Sequence, residues 1–227
     1  MFVLSSGQEI PVVINTRRGL RNITLRPKFV PKPEIVISKP WLVSASGAIK
    51  FLESKQRWIE NIFKQAPVKT TVKAGDVLEI FGRCIMLQHN PGARSDVFTD
   101  DGILVVGGGA DMFERRVRDF VKAEFLKEVK NIIKSAPCEF WPKKIAIRDT
   151  VSRWGSCSSS GTMSFSWRLA FAPADVMRYV VMHELAHVKH MDHSPEFWAT
   201  VRELYGFGVE RAKRWLAVNG GQLHRYF

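Results

Sequence analysis

The chain has 227 residues, 45% apolar and 11% aromatic, enough for one large domain or two small ones with a sizeable core. Lys and Arg number 34 against 22 Asp and Glu, a formal charge of +12 that suits a polyanion partner as well as plain solubility. No apolar run has membrane-spanning length, the Met1–Leu4 stretch is too short for a signal-peptide core, and Cys84, Cys138 and Cys157 lack metal-finger spacing, so a reducing cytoplasm is expected.

In chain order, residues 9–51 read as strands. Glu9–Ile14 is a short apolar run, and Thr16–Leu20 reads as a turn. Asn22–Arg26 alternates polar with apolar, and Glu34–Ser38 lies between prolines. The period then changes: Ile49, Leu52, Trp58, Ile59, Ile62 and Phe63 predict one amphipathic helix over 47–65, stopped by Pro67. A hairpin follows, Val77–Phe81 and Cys84–Gln88 about a Gly82-Arg83 turn. Val97-Phe98 and Ile103–Val106 flank the Asp100-Asp101-Gly102 turn signal. Gly107-Gly108-Gly109 lacks a Lys-Ser/Thr pair and a dinucleotide pattern, so it reads as a connector. It leads into a helix over 111–135, with Asp111 and Glu114 as a capping box. These features predict an α+β fold with a β-rich region at 1–107 and a second region at 108–227.

In the second region, Lys144–Arg148 and Thr162–Leu169 read as strands on either side of Ser152–Gly161. Pro173 opens a helix whose apolar positions are Val176, Met177, Val180, Val181, Leu185 and Val188. Ser194-Pro195 starts another, and 209–219 forms the last. Basic pairs such as Arg17-Arg18, Arg115-Arg116 and Lys143-Lys144 are scattered, so any nucleic-acid contact is expected to be weak and sequence-independent.

Four of the six histidines fall in residues 183–193, His-Glu-Leu-Ala-His-Val-Lys-His-Met-Asp-His. His183 and His187 are four apart and share a helix face, so two imidazoles can grip one cation. Glu184 is placed to act as general base on a metal-bound water. A third protein ligand is needed. His193 follows a possible turn and approaches from another direction. His190, Glu203 and Glu210 are the alternatives. The donor set favours Zn2+, with Ni2+, Co2+ or iron also fitting imidazole. Arg153, Trp154, Gly155, Ser156 and Cys157 are candidate substrate-binding residues. Trp154 equally suits a core position. Cys157 suits a packed strand residue better than a nucleophile, a redox switch or an inhibitory ligand.

Arg153–Cys157, Trp167-Arg168-Leu169, Tyr179–His187, His193-Ser194 and Phe197-Trp198 together resemble the YgjP-like metal-dependent hydrolases, relatives of the SprT-like zincin proteases. The resemblance extends more weakly to Arg17–Arg26 and the 111–135 helix. It implies a zincin-like C-terminal half with an HExxH active-site helix. It also implies an edge-strand hairpin, from the 144–169 region, that can pair with an extended peptide. It supports His193 as third ligand. The expected function is a metal-dependent hydrolase of the metallopeptidase type, with zinc the expected metal, acting on a polypeptide. The sequence leaves open a nucleotide phosphoanhydride as substrate, and a non-enzymatic DNA-associated zinc protein.

Overall fold

The computed structural model describes residues 1–28, 32–64, 69–150 and 153–227. The Pro67 helix stop and Ser152 lie outside the described residues. The chain divides into two compact units, Met1–Val68 and Lys69–Phe227.

In the first unit, β1 (Phe2–Val3) pairs antiparallel with β2 (Glu9–Ile10). A three-stranded sheet follows, built from β3 (Val12–Arg17), β4 (Thr24–Lys28) and β5 (Glu34–Pro40) in the order β3-β5-β4. The central β5 runs parallel to β3 and antiparallel to β4. Alternation sends Ile35 and Ile37 to one face, where they join Ala48, Leu52, Ile59 and Phe63 in a buried cluster. Those four side chains come from α1 (Ala45–Ser54) and α2 (Gln56–Lys64), two helices in place of the single one expected over 47–65. The apolar stripe explains the break. The turn between Leu52 and Ile59 offers only Lys55 and Gln56, both exposed, so nothing holds a continuous helix against the sheet.

In the second unit, β6 (Val77–Ile80), β7 (Arg83–Asn90), β8 (Val97–Phe98) and β9 (Ile103–Gly107) form a sheet ordered β6-β7-β9-β8. The β6–β7 turn is centred on Phe81 and Gly82, at φ 54° and 76°, one residue earlier than expected. Phe81 tolerates this left-handed conformation because its N–H donates to Ala170 O at 2.8 Å and its ring stacks on Phe125. A 3-10 turn at Ala110–Met112 precedes α3 (Phe113–Lys134), so the helix starts two residues late and Asp111 makes no cap hydrogen bond to it.

A second sheet, ordered β10-β12-β11, contains β10 (Lys144–Arg148), β11 (Gly155–Cys157) and β12 (Thr162–Ser166). Strand β12 gives way at Trp167–Phe171 to a 3-10 turn, where a strand to Leu169 was expected. Helices α4 (Ala174–Ala186), α5 (Pro195–Tyr205) and α6 (Val209–Asn219) complete the unit. Among the described residues no helix is long and apolar enough to cross a membrane.

The division at 68/69 falls well before the boundary expected at 107/108. Leu78, Leu87, Leu104 and Val106 from the β6–β9 sheet are at most 1% exposed and lie in one cluster with Val117, Val121 and Phe125 of α3. These strands share their core with the residues that follow them, so they cannot close off a separate hydrophobic interior.

Candidate metal centre

Helix α4 is buried nearly all round: Val176, Met177, Tyr179, Val180, Val181, Met182, Glu184, Leu185 and Ala186 are buried. Such a helix is fixed by its neighbours on every side, which suits it to hold reactive groups still. Arg178 anchors it by donating to Tyr205 O (2.7 Å) and Leu204 O (3.1 Å) at the end of α5. His183 and Glu184 occupy its last turn, and His187 is the residue just beyond it, still at helical φ and ψ. The chain continues in tight turns, with His190 N–H donating to Ala186 O at 3.0 Å. Ser194 then caps α5 by accepting from Phe197 N at 3.3 Å. This reversal carries His193 back toward α4.

One ligand atom from each of His183, His187 and His193 lies within 4.8 Å of the others. His183 Nε2 and His193 Nε2 are 3.2 Å apart. His187 Nδ1 faces His190 O at 2.9 Å, so as donor it leaves the Nε2 lone pair for a cation. His190 therefore supports the cluster through its carbonyl, and its ring is outside it. Glu203 and Glu210 are outside too; Glu210 Oε1 accepts from Lys213 Nζ at 3.0 Å. Phe197, fully buried, packs against all three imidazoles with ring centroids 4.5–4.9 Å away. Trp198 packs on His183 and His193. Burial and the neighbouring charges of His187, His193 and Lys213 push His183 down to about 4, and burial lowers His187 as well. Three imidazoles converging beside Phe197 and Trp198 fit a borderline-soft divalent cation.

Glu184 is 6% exposed. Burial pushes its carboxyl up to about 7, opposed by the Arg153 charge and the Cys157 backbone N–H. Gly155 on the edge strand β11 lies against it: a Cβ there would meet Glu184 Cγ and Oε1 at 2.6 Å. Glycine is needed at 155 because this approach leaves no room for a side chain.

The stretch 153–157 divides. Arg153 is exposed and acts on Glu184 through its charge. Trp154 packs on His224, at 5.4 Å between centroids, and a Cβ on Gly220 would sit 3.1 Å from its ring. Ser156 pairs in register with Ser164. Cys157 is half-buried, its Sγ 3.6 Å from Ser158 O, and burial together with the Glu184 charge pushes the thiol up, the opposite of nucleophile activation.

Sequence reasoning singled out Arg168 only within the Trp167-Arg168-Leu169 motif and missed its partner Asp149. Arg168 is 4% exposed and donates to both Asp149 carboxylate oxygens, at 2.7 and 3.2 Å, and to Tyr226 O and Phe227 O, at 2.8 and 3.2 Å. Asp149 begins the run into β11, where Thr150 Oγ1 donates to Arg153 O and Ser166 N–H to Trp154 O, both at 2.8 Å. The signal was a charged residue inside the apolar Trp167–Phe171 run, which in a buried segment demands a partner.

The three-imidazole cluster has the geometry of a metal-binding site. The chain belongs to the YgjP-like metallopeptidase family, whose domain model matches residues 21–219. Family and cluster together make it a metal-dependent peptidase. Among solved structures, the metallopeptidase zymogen abylysin of Pyrococcus abyssi is 28% identical, with a TM-score of 0.34, over 47% of this chain and 98% of that one. No curated protein matches the chain.

Proposed function

We propose that this is a zinc peptidase of zincin type, related to the SprT-like proteases, with His183, His187 and His193 holding the cation and Glu184 as the catalytic carboxylate. The observation that carries the reading is the meeting of three elements: a histidine triad within 4.8 Å, a buried Glu184 beside it, and the edge strand lying against that carboxylate at Gly155. When bound, a zinc ion would act as a Lewis acid, polarising the scissile carbonyl and acidifying water. Glu184, raised to about 7, takes a proton from the attacking water and returns it to the leaving amine nitrogen. Among the described residues β11 pairs on one side only, with β12, so an extended polypeptide can add to its outer edge through backbone hydrogen bonds. Phe197 packs against the three imidazoles and Trp198 against those of His183 and His193, which fixes the rings. The free thiols of Cys84, Cys138 and Cys157 support the reading of a protein that works in a reducing compartment such as the cytoplasm.

The test is a panel of unfolded polypeptides and nucleoside triphosphates, each with chelator and with zinc restored. Peptide cleavage that chelator abolishes and zinc restores is expected. Hydrolysis confined to the triphosphates would replace the peptidase reading with a phosphoanhydride one. Zinc binding without hydrolysis of either would leave a non-enzymatic zinc protein.

A further inference from the structure

The first unit carries eleven Lys and Arg against four Glu and no Asp. Arg17, Arg18, Arg21 and Arg26 are exposed, and none joins an ion pair or side-chain hydrogen bond among the described residues. The strand register places them. Arg17 lies opposite Pro40, Thr24 opposite Ser38, and Arg26 opposite Val36. The ends of β3 and β5 and the start of β4 therefore lie at one end of the sheet. From that end emerge Arg18–Arg21 on one side and Trp41-Leu42 on the other. Trp41 is 65% exposed and Leu42 77%.

Alternation puts Arg17 and Arg26 on the same sheet face, opposite the Ile35 and Ile37 face that packs against α1 and α2. Between them lie Asn15, Thr24 and Ser38. From the level of Arg26 to that of Arg17 is four residues of β5, about 13 Å at ~3.3 Å per residue. A polar track with arginines at both ends runs out to an exposed indole.

We infer that this face binds single-stranded nucleic acid without sequence preference, through arginine–phosphate contacts and stacking of a base on Trp41. Guanidinium forks match phosphate oxygens, and an aromatic face beside a basic track is what stacked bases use. An acidic polypeptide would engage the arginines but give Trp41 no task. A lipid surface would reward an apolar face; this one shows Val13 to solvent but also the exposed Asn15, Thr24, Arg17 and Arg26, while Val36 and Ser38 are buried. The inference is independent of the peptidase reading.

The experiment is fluorescence anisotropy of labelled twelve-nucleotide oligothymidylate and oligouridylate with the full chain across a salt series. Trp41→Ala should weaken binding about 5- to 150-fold, the range of one lost base stack. The double variant Arg17→Glu, Arg21→Glu should lower the log–log salt slope by about 1.4, from two lost phosphate contacts. Arg214→Glu, the same reversal in the second unit, should leave binding unchanged. Circular dichroism establishes that each variant is folded. The proposal is overturned if the wild type does not bind at low salt, or if Arg214→Glu costs as much as the double variant. It is equally overturned if polyglutamate or phosphatidylserine vesicles bind as tightly and respond to the same substitutions.

Discussion

The two units differ in what they bury and what they display. The first closes a small core of Phe2, Leu4, Ile10, Ile35, Ile37, Ala48, Leu52, Ile59 and Phe63, and both its tryptophans, Trp41 and Trp58, are exposed. The second encloses a far larger core, with Trp167 fully buried, and holds all six histidines. A small domain buries a smaller fraction of its surface than a large one. It can present charge on a rigid sheet, but it has little interior in which to shift a carboxyl or desolvate an imidazole. The larger unit does both: Glu184 is driven up and His183 down by burial above all. Perturbed titration belongs to the unit with the interior to produce it.

The largest effect tests where the units divide. A fragment of residues 69–227 should fold and retain the metal; a fragment of 108–227 should not. The shorter one lacks Leu78, Ile80, Leu87, Leu104 and Val106, each at most 2% exposed. At about 1.5–3 kcal/mol per side chain, their loss is on the order of the whole stability of a domain. Circular dichroism and metal content report the outcome. A folded, metal-loaded 108–227 fragment would return the boundary to the glycine run.

Next come the groups that set the second unit apart. Glu184→Gln preserves shape and removes the carboxylate proposed as base, so metal content should hold while turnover falls about a hundredfold or more. His183→Ala, His187→Ala and His193→Ala should each lose metal on dialysis, whereas His190→Ala should keep it, its backbone carbonyl being unaltered. A loaded His193→Ala beside an empty His190→Ala would reverse the ligand assignment. Smaller, and more specific to this structure, is Gly155→Ala. The added methyl would sit 2.6 Å from Glu184 Cγ, so strand or carboxylate must shift. Turnover should drop about ten- to a hundredfold with the metal retained, since displacement by about 1 Å has that cost. Wild-type turnover in this variant would show that the carboxylate does not work from beneath the strand.

These residues also show what a sequence can reveal. His183, Glu184 and His187 were legible because helical pitch converts spacing directly into geometry. His193 followed once a turn was granted after Asp192, and Ser194-Pro195 marked the next helix start. The approach of Gly155 to Glu184 was not legible, because it spans separate elements and depends on how a strand lies over a helix. The break at Lys55 was missed because the apolar stripe resumes in phase at Ile59; only the absence of an apolar residue in the turn between Leu52 and Ile59 marks it. The division into compact units at 68/69 was not legible for a related reason. Gly107–Gly109 looks like a linker in sequence, while the sharing of a core between Leu104 and Val121 is a tertiary fact. Asp149 and Arg168 are nineteen residues apart, and nothing local pairs them.

The smallest effect concerns that pair. Burial alone would raise the Asp149 carboxyl, but hydrogen bonds and charge from Arg168 outweigh it and hold the group below the ordinary range. In the unfolded chain the carboxyl titrates normally. Its folded form is therefore favoured above the unfolded pKa, and that advantage disappears as pH falls through the lower folded value. The Asp149 side chain is 51% exposed, so solvent screening keeps the gain small. Arg168 still has the Tyr226 and Phe227 carbonyls when the carboxylate is gone, which limits the loss further. The measurement compares urea unfolding of the wild type and Asp149→Asn between pH 7 and pH 2.5. Both are metal-free, so that protonation of the histidines does not enter through metal release. A modest wild-type advantage at pH 7 should shrink toward nothing at the acid end and weaken with added salt at neutral pH. An advantage that persists at pH 2.5 would mean that Asp149 holds the run into β11 by shape, with its charge playing no part.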